Sequence, residues 1–167
     1  MDQRQIWWAA GLGGGALVVG GVLLATLPGH KPAPLPIRAR QYTQVRACLL
    51  TDQQGVTATA DAPVWAGMQD GSAASHAQVS SLPVIGPATV PNAQSYANTL
   101  IQQKCSVVLA ADPLPGQALR AVAAANPKVH FVLVDHGTSA GNLAVIDAAS
   151  DVRASVAKAV EGAGAAS

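Results

Sequence analysis

Asp52, Asp112 and Asp135 each stand where a short apolar run stops, after Leu49-Leu50-Thr51, Val108-Leu109-Ala110-Ala111 and Val132-Leu133-Val134 respectively. Carboxylates in such places can bind a polar molecule, because open α/β sheets take their ligands in the crevice outside the carboxyl ends of the strands. Thr51, Ala111 and His136 join the same short list. Aspartate is also a common turn and capping residue, so each one taken singly reads first as turn chemistry.

Other chemistries find no support in the spacing. The four histidines, His30, His76, His130 and His136, include no pair at metal-ligand separation. A catalytic serine on a Gly-x-Ser-x-Gly elbow is missing, and Thr138-Ser139 reads as turn chemistry. Gly11-Leu-Gly13-Gly14-Gly15 follows no strand, which removes a dinucleotide fingerprint. Cys48 and Cys105 are the only cysteines, and neither belongs to a Cys-x-x-Cys motif or sits beside a general base, so neither reads as catalytic. They are either a disulfide of an oxidising compartment or two buried thiols. Ten basic residues scattered against nine acidic ones leave no basic stripe for nucleic acid. The expectation is a protein that is not an enzyme, with no metal and no cofactor.

The elements that must position these residues alternate between short continuous apolar runs and longer helical stretches, the pattern of parallel strands covered by helices. Strands are expected at 45–51, 77–83, 106–110, 129–135 and 143–147. The second is the most polar and belongs near an edge. Helices are expected at 63–75; at 91–104, with proline in its first turn and Tyr96, Leu100 and Ile101 on one face; at 114–125, stopped by Asn126-Pro127; and at 151–160, capped by Asp151 and followed by a fraying Gly-Ala tail. The predicted fold class is α/β, a doubly wound, mostly parallel five-stranded sheet. In the order 2-1-3-4-5 the first and third strands are neighbours. Cys48 and Cys105 then face each other near the strand beginnings, and a bond between them closes a loop of about 57 residues, worth roughly 3 to 4 kcal/mol.

Several stretches resemble the basic membrane protein family of ABC-transporter substrate-binding proteins, which includes purine-nucleoside receptors. The likeness covers most of 46–166. Leu49-Leu50-Thr51-Asp52 looks like the family's opening strand and aspartate, and Val64-Trp65-Ala66-Gly67-Met68 is similar to its Ala-Trp-Glu-Gly-Leu helix. Lys104-Cys105-Ser106-Val107-Val108-Leu109-Ala110, Asn126-Pro127-Lys128-Val129-His130-Phe131-Val132-Leu133-Val134-Asp135 and Asn142-Leu143-Ala144-Val145 resemble later strands. The resemblance implies one lobe of a type 1 periplasmic-binding-protein fold and a ligand set of Asp52, Asp61, Trp65, Asp112 and Asp135. It departs from the family at Val56-Thr57-Ala58-Thr59-Ala60-Asp61-Ala62, where Ala60 replaces the phenylalanine that stacks on a base. It also covers only the first of two lobes, so ligand trapping by closure needs a partner surface, either a second copy or another protein supplying a second lobe.

Residues 6–27 run for 22 positions without a charge, with Trp7 and Trp8 at their start. About 20 apolar residues span a bilayer, so 6–27 is expected to be a single uncleaved transmembrane anchor after a tail at 1–5. The segment 28–43 opens with four prolines in nine residues and reads as an extended linker; 44–167 is the α/β domain. Flanking positive charges would hold that domain in the cytoplasm, whereas the cysteines and the family resemblance place it outside the cell membrane. The expected function is a membrane-anchored, non-catalytic receptor-like lobe with at most weak, nucleoside-like small-molecule binding. The alternative is an envelope protein-interaction module that kept the fold and lost ligand capture.

Overall fold

A computed structural model describes residues 41–165, which belong to one compact unit spanning 39–167. The anchor predicted for 6–27 and nearly all of the linker lie outside the described residues. Among the described residues no helix is long and apolar enough to cross a membrane.

Five strands, β1 (Arg46–Thr51), β2 (Gln78–Pro83), β3 (Val107–Ala110), β4 (His130–Val134) and β5 (Leu143–Ile146), form one sheet in the order β2-β1-β3-β4-β5. Every pairing in it is parallel. Four helices connect or follow them: α1 (Asp61–Ser75), α2 (Val90–Gln102), α3 (Pro113–Ala123) and α4 (Val152–Ala165). The chain runs from β1 outward to β2, then crosses over β1 to lay β3 on its other side. That reversal makes the β1–β3 boundary the switch point of the sheet.

The apolar pattern of β1 explains the two layers. Successive strand side chains point to opposite faces. Ala47 and Leu49 therefore pack with Val64 and Met68 of α1 and Val156 and Val160 of α4. Cys48 and Leu50 pack on the other face with Ala93 and Leu100 of α2, Leu119 of α3 and Phe131 of β4. A strand covered on both faces must be apolar at consecutive positions, and Leu49 and Leu50, both fully buried, each contribute about 2 kcal/mol of burial. By contrast β2 holds no fully buried residue and occupies the sheet edge, as its polarity predicts.

Helix boundaries follow local chemistry with two departures. Thr89 caps α2 by accepting from the Asn92 N–H at 3.4 Å, and Asp151 caps α4 by accepting from the Ala154 N–H at 3.1 Å. The first departure is that α1 starts at Asp61 rather than 63, because Pro63 is tolerated inside a first turn, where its missing N–H has no partner to lose. The second is that α4 continues to Ala165 instead of fraying after 160. Alanine is the best helix former, and Ala159 and Ala163 still pack against the core.

Candidate functional site

Three loops meet at the carboxyl edge of β1 and β3. Asp52 follows the last residue of β1 directly, and Asp112 occupies the N-cap position of α3 two residues beyond β3. The loop after Asp52 makes a 3-10 turn at Gly55–Thr57 and returns to the sheet edge, so that Asp61, the first residue of α1, lies beside the other two. Carboxylate oxygens from Asp52, Asp61 and Asp112 all lie within 4.8 Å of one another.

Backbone donors hold the two outer carboxylates. Asp52 Oδ1 accepts from the Gln54 N–H at 2.7 Å, and Asp112 Oδ2 accepts from the Asp52 N–H at 3.2 Å. Asp112 thus spends its side chain on the neighbouring loop instead of capping its own helix. Gln53 Nε2 donates to the Gly86 carbonyl at 2.9 Å, tying the loop after β1 to the loop after β2. A cavity of about 320 Å³ opens between those loops and the start of α3, lined by Asp52, Gln53, Gln54, Val84, Gly86 and Leu114 among others.

Asp61 differs from both neighbours. It is fully buried, and neither side-chain oxygen has a hydrogen-bond partner. Burial is the main reason its carboxyl is pushed up to about 8; the neighbouring Asp112 carboxylate, and then that of Asp52, act in the same direction. Two ionised carboxylates cannot donate to each other, so a hydrogen bond between Asp61 and Asp112 requires a proton on one of them. The arrangement can do one of two things chemically: share a proton between Asp61 and Asp112, or present oxygen ligands to a cation.

The remaining residues of the expected ligand set lie outside this cluster, although Asp135 and Asp112 line one small cavity of about 130 Å³ together with Gly116 and Arg120. Asp135 directly follows β4, but it is exposed and paired with Arg120 of α3 at 2.9 Å. The Arg120 hydrogen bond, then one from the His136 backbone, hold its carboxyl below the usual range. Trp65 is half-buried one turn beyond Asp61 and packs against the core layer between α1, α4 and the sheet. Ala60, where the resembled family carries its stacking phenylalanine, is exposed just ahead of α1. Strand-end position alone gave Asp52 and Asp112. Asp61 entered the sequence reading only through the resemblance, and its burial has no signal in the local sequence.

At the opposite end of the same two strands, Cys48 and Cys105 form a disulfide, with Cα atoms 6.0 Å apart. Cys48 sits at the third position of β1 and Cys105 just before β3, which agrees with the side-by-side placement of those strands. A bond of this kind fits an oxidising compartment.

These features define a flavodoxin-like, all-parallel α/β lobe with an acidic switch point. No family model and no curated protein matches the chain. Among solved structures it is similar to a fragment described as a "putative lipoprotein" from Peptoclostridium difficile 630, with a TM-score of 0.61 and 12% identity over 72% of this chain and 98% of that one. Likeness at that identity establishes a common fold.

Proposed function

We propose that the chain is a membrane-anchored, non-catalytic ligand-binding lobe, resembling the first lobe of basic membrane protein receptors, whose ligand edge lies between β1 and β3. The observation that supports this reading most is the convergence of Asp52, Asp61 and Asp112 at the switch point, beside the cavity lined by Asp52, Gln53 and Gln54. Open α/β sheets bind ligands at that position. The disulfide and the lipoprotein named among similar structures support an extracytoplasmic domain, which the uncharged stretch 6–27 would hold at the membrane.

A single lobe contributes one wall of a cleft, so binding is weak and polar, and a second copy or another protein would complete it. With Ala60 exposed where the resembled receptors stack a base, nucleoside affinity rests on hydroxyl-to-carboxylate hydrogen bonds. Thermal unfolding of the full chain with and without nucleosides and a broad metabolite panel tests the reading. A ligand-dependent rise in Tm is expected, and Asp52→Ala with Asp112→Ala abolishes it. Absence of any shift across the panel overturns small-molecule binding and leaves the envelope protein-interaction module as the surviving reading.

A further inference from the structure

Asp61 poses a problem that the fold alone does not solve. A fully buried carboxyl without a hydrogen-bond partner is costly, and Asp61 lies among two further carboxylates. Among the described residues none of the three takes part in an ion pair. Proteins tolerate converging acidic groups of this kind when a cation is their common partner.

We propose that Asp52, Asp61 and Asp112 together bind one hard divalent cation, of the calcium, magnesium or manganese class, at the carboxyl edge between β1 and β3. The donor set is oxygen only, which suits hard cations and disfavours zinc or copper. Oxygens bound to a calcium ion at about 2.4 Å can stand up to about 5 Å apart, and the three carboxylates lie within 4.8 Å. The backbone bonds described above fix one oxygen of Asp52 and one of Asp112, leaving the second oxygen of each, with both of Asp61, for the ion. Such outer bonds orient metal ligands generally. A monovalent ammonium would offset only one of three negative charges, whereas a divalent ion offsets two. The inference rests on the proposed ligand edge for its location only and requires no organic ligand.

The test uses the full chain, freed of metal with a chelator and then titrated separately with Ca²⁺, Mg²⁺ and Mn²⁺. Calorimetry and Mn²⁺ electron paramagnetic resonance should find one site, with Kd between roughly 10⁻⁶ and 10⁻³ M for the best ion. Tm should rise by about 5 °C or more at saturation. Asp61→Asn, which keeps the shape and removes the charge, should weaken binding at least tenfold. Asp112→Asn, at a half-buried position, should do the same and stands in should the first variant fail to fold. Asp135→Asn, outside the cluster, should leave affinity unchanged. The inference is overturned by no saturable binding up to roughly 10 mM of each ion, or by binding that survives both cluster variants, which would mark adventitious surface association. A metabolite-induced shift that persists in chelator without cation binding would retain the ligand lobe and discard the cation. Cation binding with no metabolite response would do the reverse.

Discussion

A single buried carboxyl sets the chemistry of the candidate site. The Asp61 pKa is raised from the usual aspartate value near 3.8 to about 8, and the charged groups acting on it, Asp112 before α3 and Asp52 after β1, are both acidic. The sign of the resulting pH dependence follows. Below about pH 4 the residue is protonated in both folded and unfolded chains and contributes nothing to the pH dependence. Between about pH 4 and 8 the unfolded chain has released a proton that the folded chain keeps, so stability from this group falls with rising pH, by at most about 1.4 kcal/mol per unit. In chelator-containing buffer, urea midpoints should drop from pH 5 to pH 8, and Asp61→Asn should flatten that slope and stabilise the metal-free protein at pH 8 by about 2 kcal/mol. An unchanged slope in the variant would show that Asp61 is not the titrating group. At this scale the sequence was half legible. Asp52 and Asp112 follow from where apolar runs end, and Asp135 satisfies the same rule. What separates Asp135 is Arg120, 15 residues away and on a different element, whose reach across the α3–β4 edge no local pattern records.

At the scale of elements, the contact between α1 and α4 depends on two glycines. A Cβ on Gly67 would collide with the Arg153 carbonyl oxygen and lie 2.9 Å from Val156 Cβ; one on Gly71 would lie 2.8 Å from the Ala157 carbonyl oxygen. Both obstacles are largely backbone and cannot rotate away. Glycine costs a helix up to about 1 kcal/mol relative to alanine, yet here the close approach of helices outweighs that cost. Gly67→Ala and Gly71→Ala should each destabilise by about 1 to 3 kcal/mol through overpacking. Gly116→Ala in α3, whose added carbon would meet only Leu133 Cδ2 at 4.0 Å, should instead stabilise by about 0.5 to 1 kcal/mol. Chemical denaturation of the three variants checks both signs, and stabilisation by either α1 substitution would refute the close-packing account. Beside this contact Arg153 grips Asp70 with two bonds, at 2.6 and 3.0 Å, and lowers the Asp70 pKa. The strands were legible because burial on both faces writes an uninterrupted apolar run. The glycines of α1 were not, since glycine in a helix reads as a weak position until its neighbour is known.

For the whole lobe, β1 and β3 are joined covalently at one end and crowded with negative charge at the other. Cys48 and Cys105 are 57 residues apart, enough to enclose all of α1, β2 and α2 within the loop. The strand order that made their pairing legible follows from the alternation of apolar runs and helices, because parallel neighbours require crossovers of this length. Closing a loop of that size restricts the unfolded chain by about 4 kcal/mol. The paired variant Cys48→Ala with Cys105→Ala should therefore lower unfolding stability by roughly that amount, less whatever the two small cavities relax. The cross-link constrains mainly the unfolded ensemble, and the native positions of Asp52 and Asp112 are set by strand pairing and by the Asp52 N–H bond to Asp112. Cation affinity, measured well below the lowered Tm, should then stay within about twofold of the parent. A large loss of affinity alongside a modest loss of stability would mean that the disulfide positions the acidic edge across the length of the strands, and that the two ends of the β1–β3 pair act as one unit.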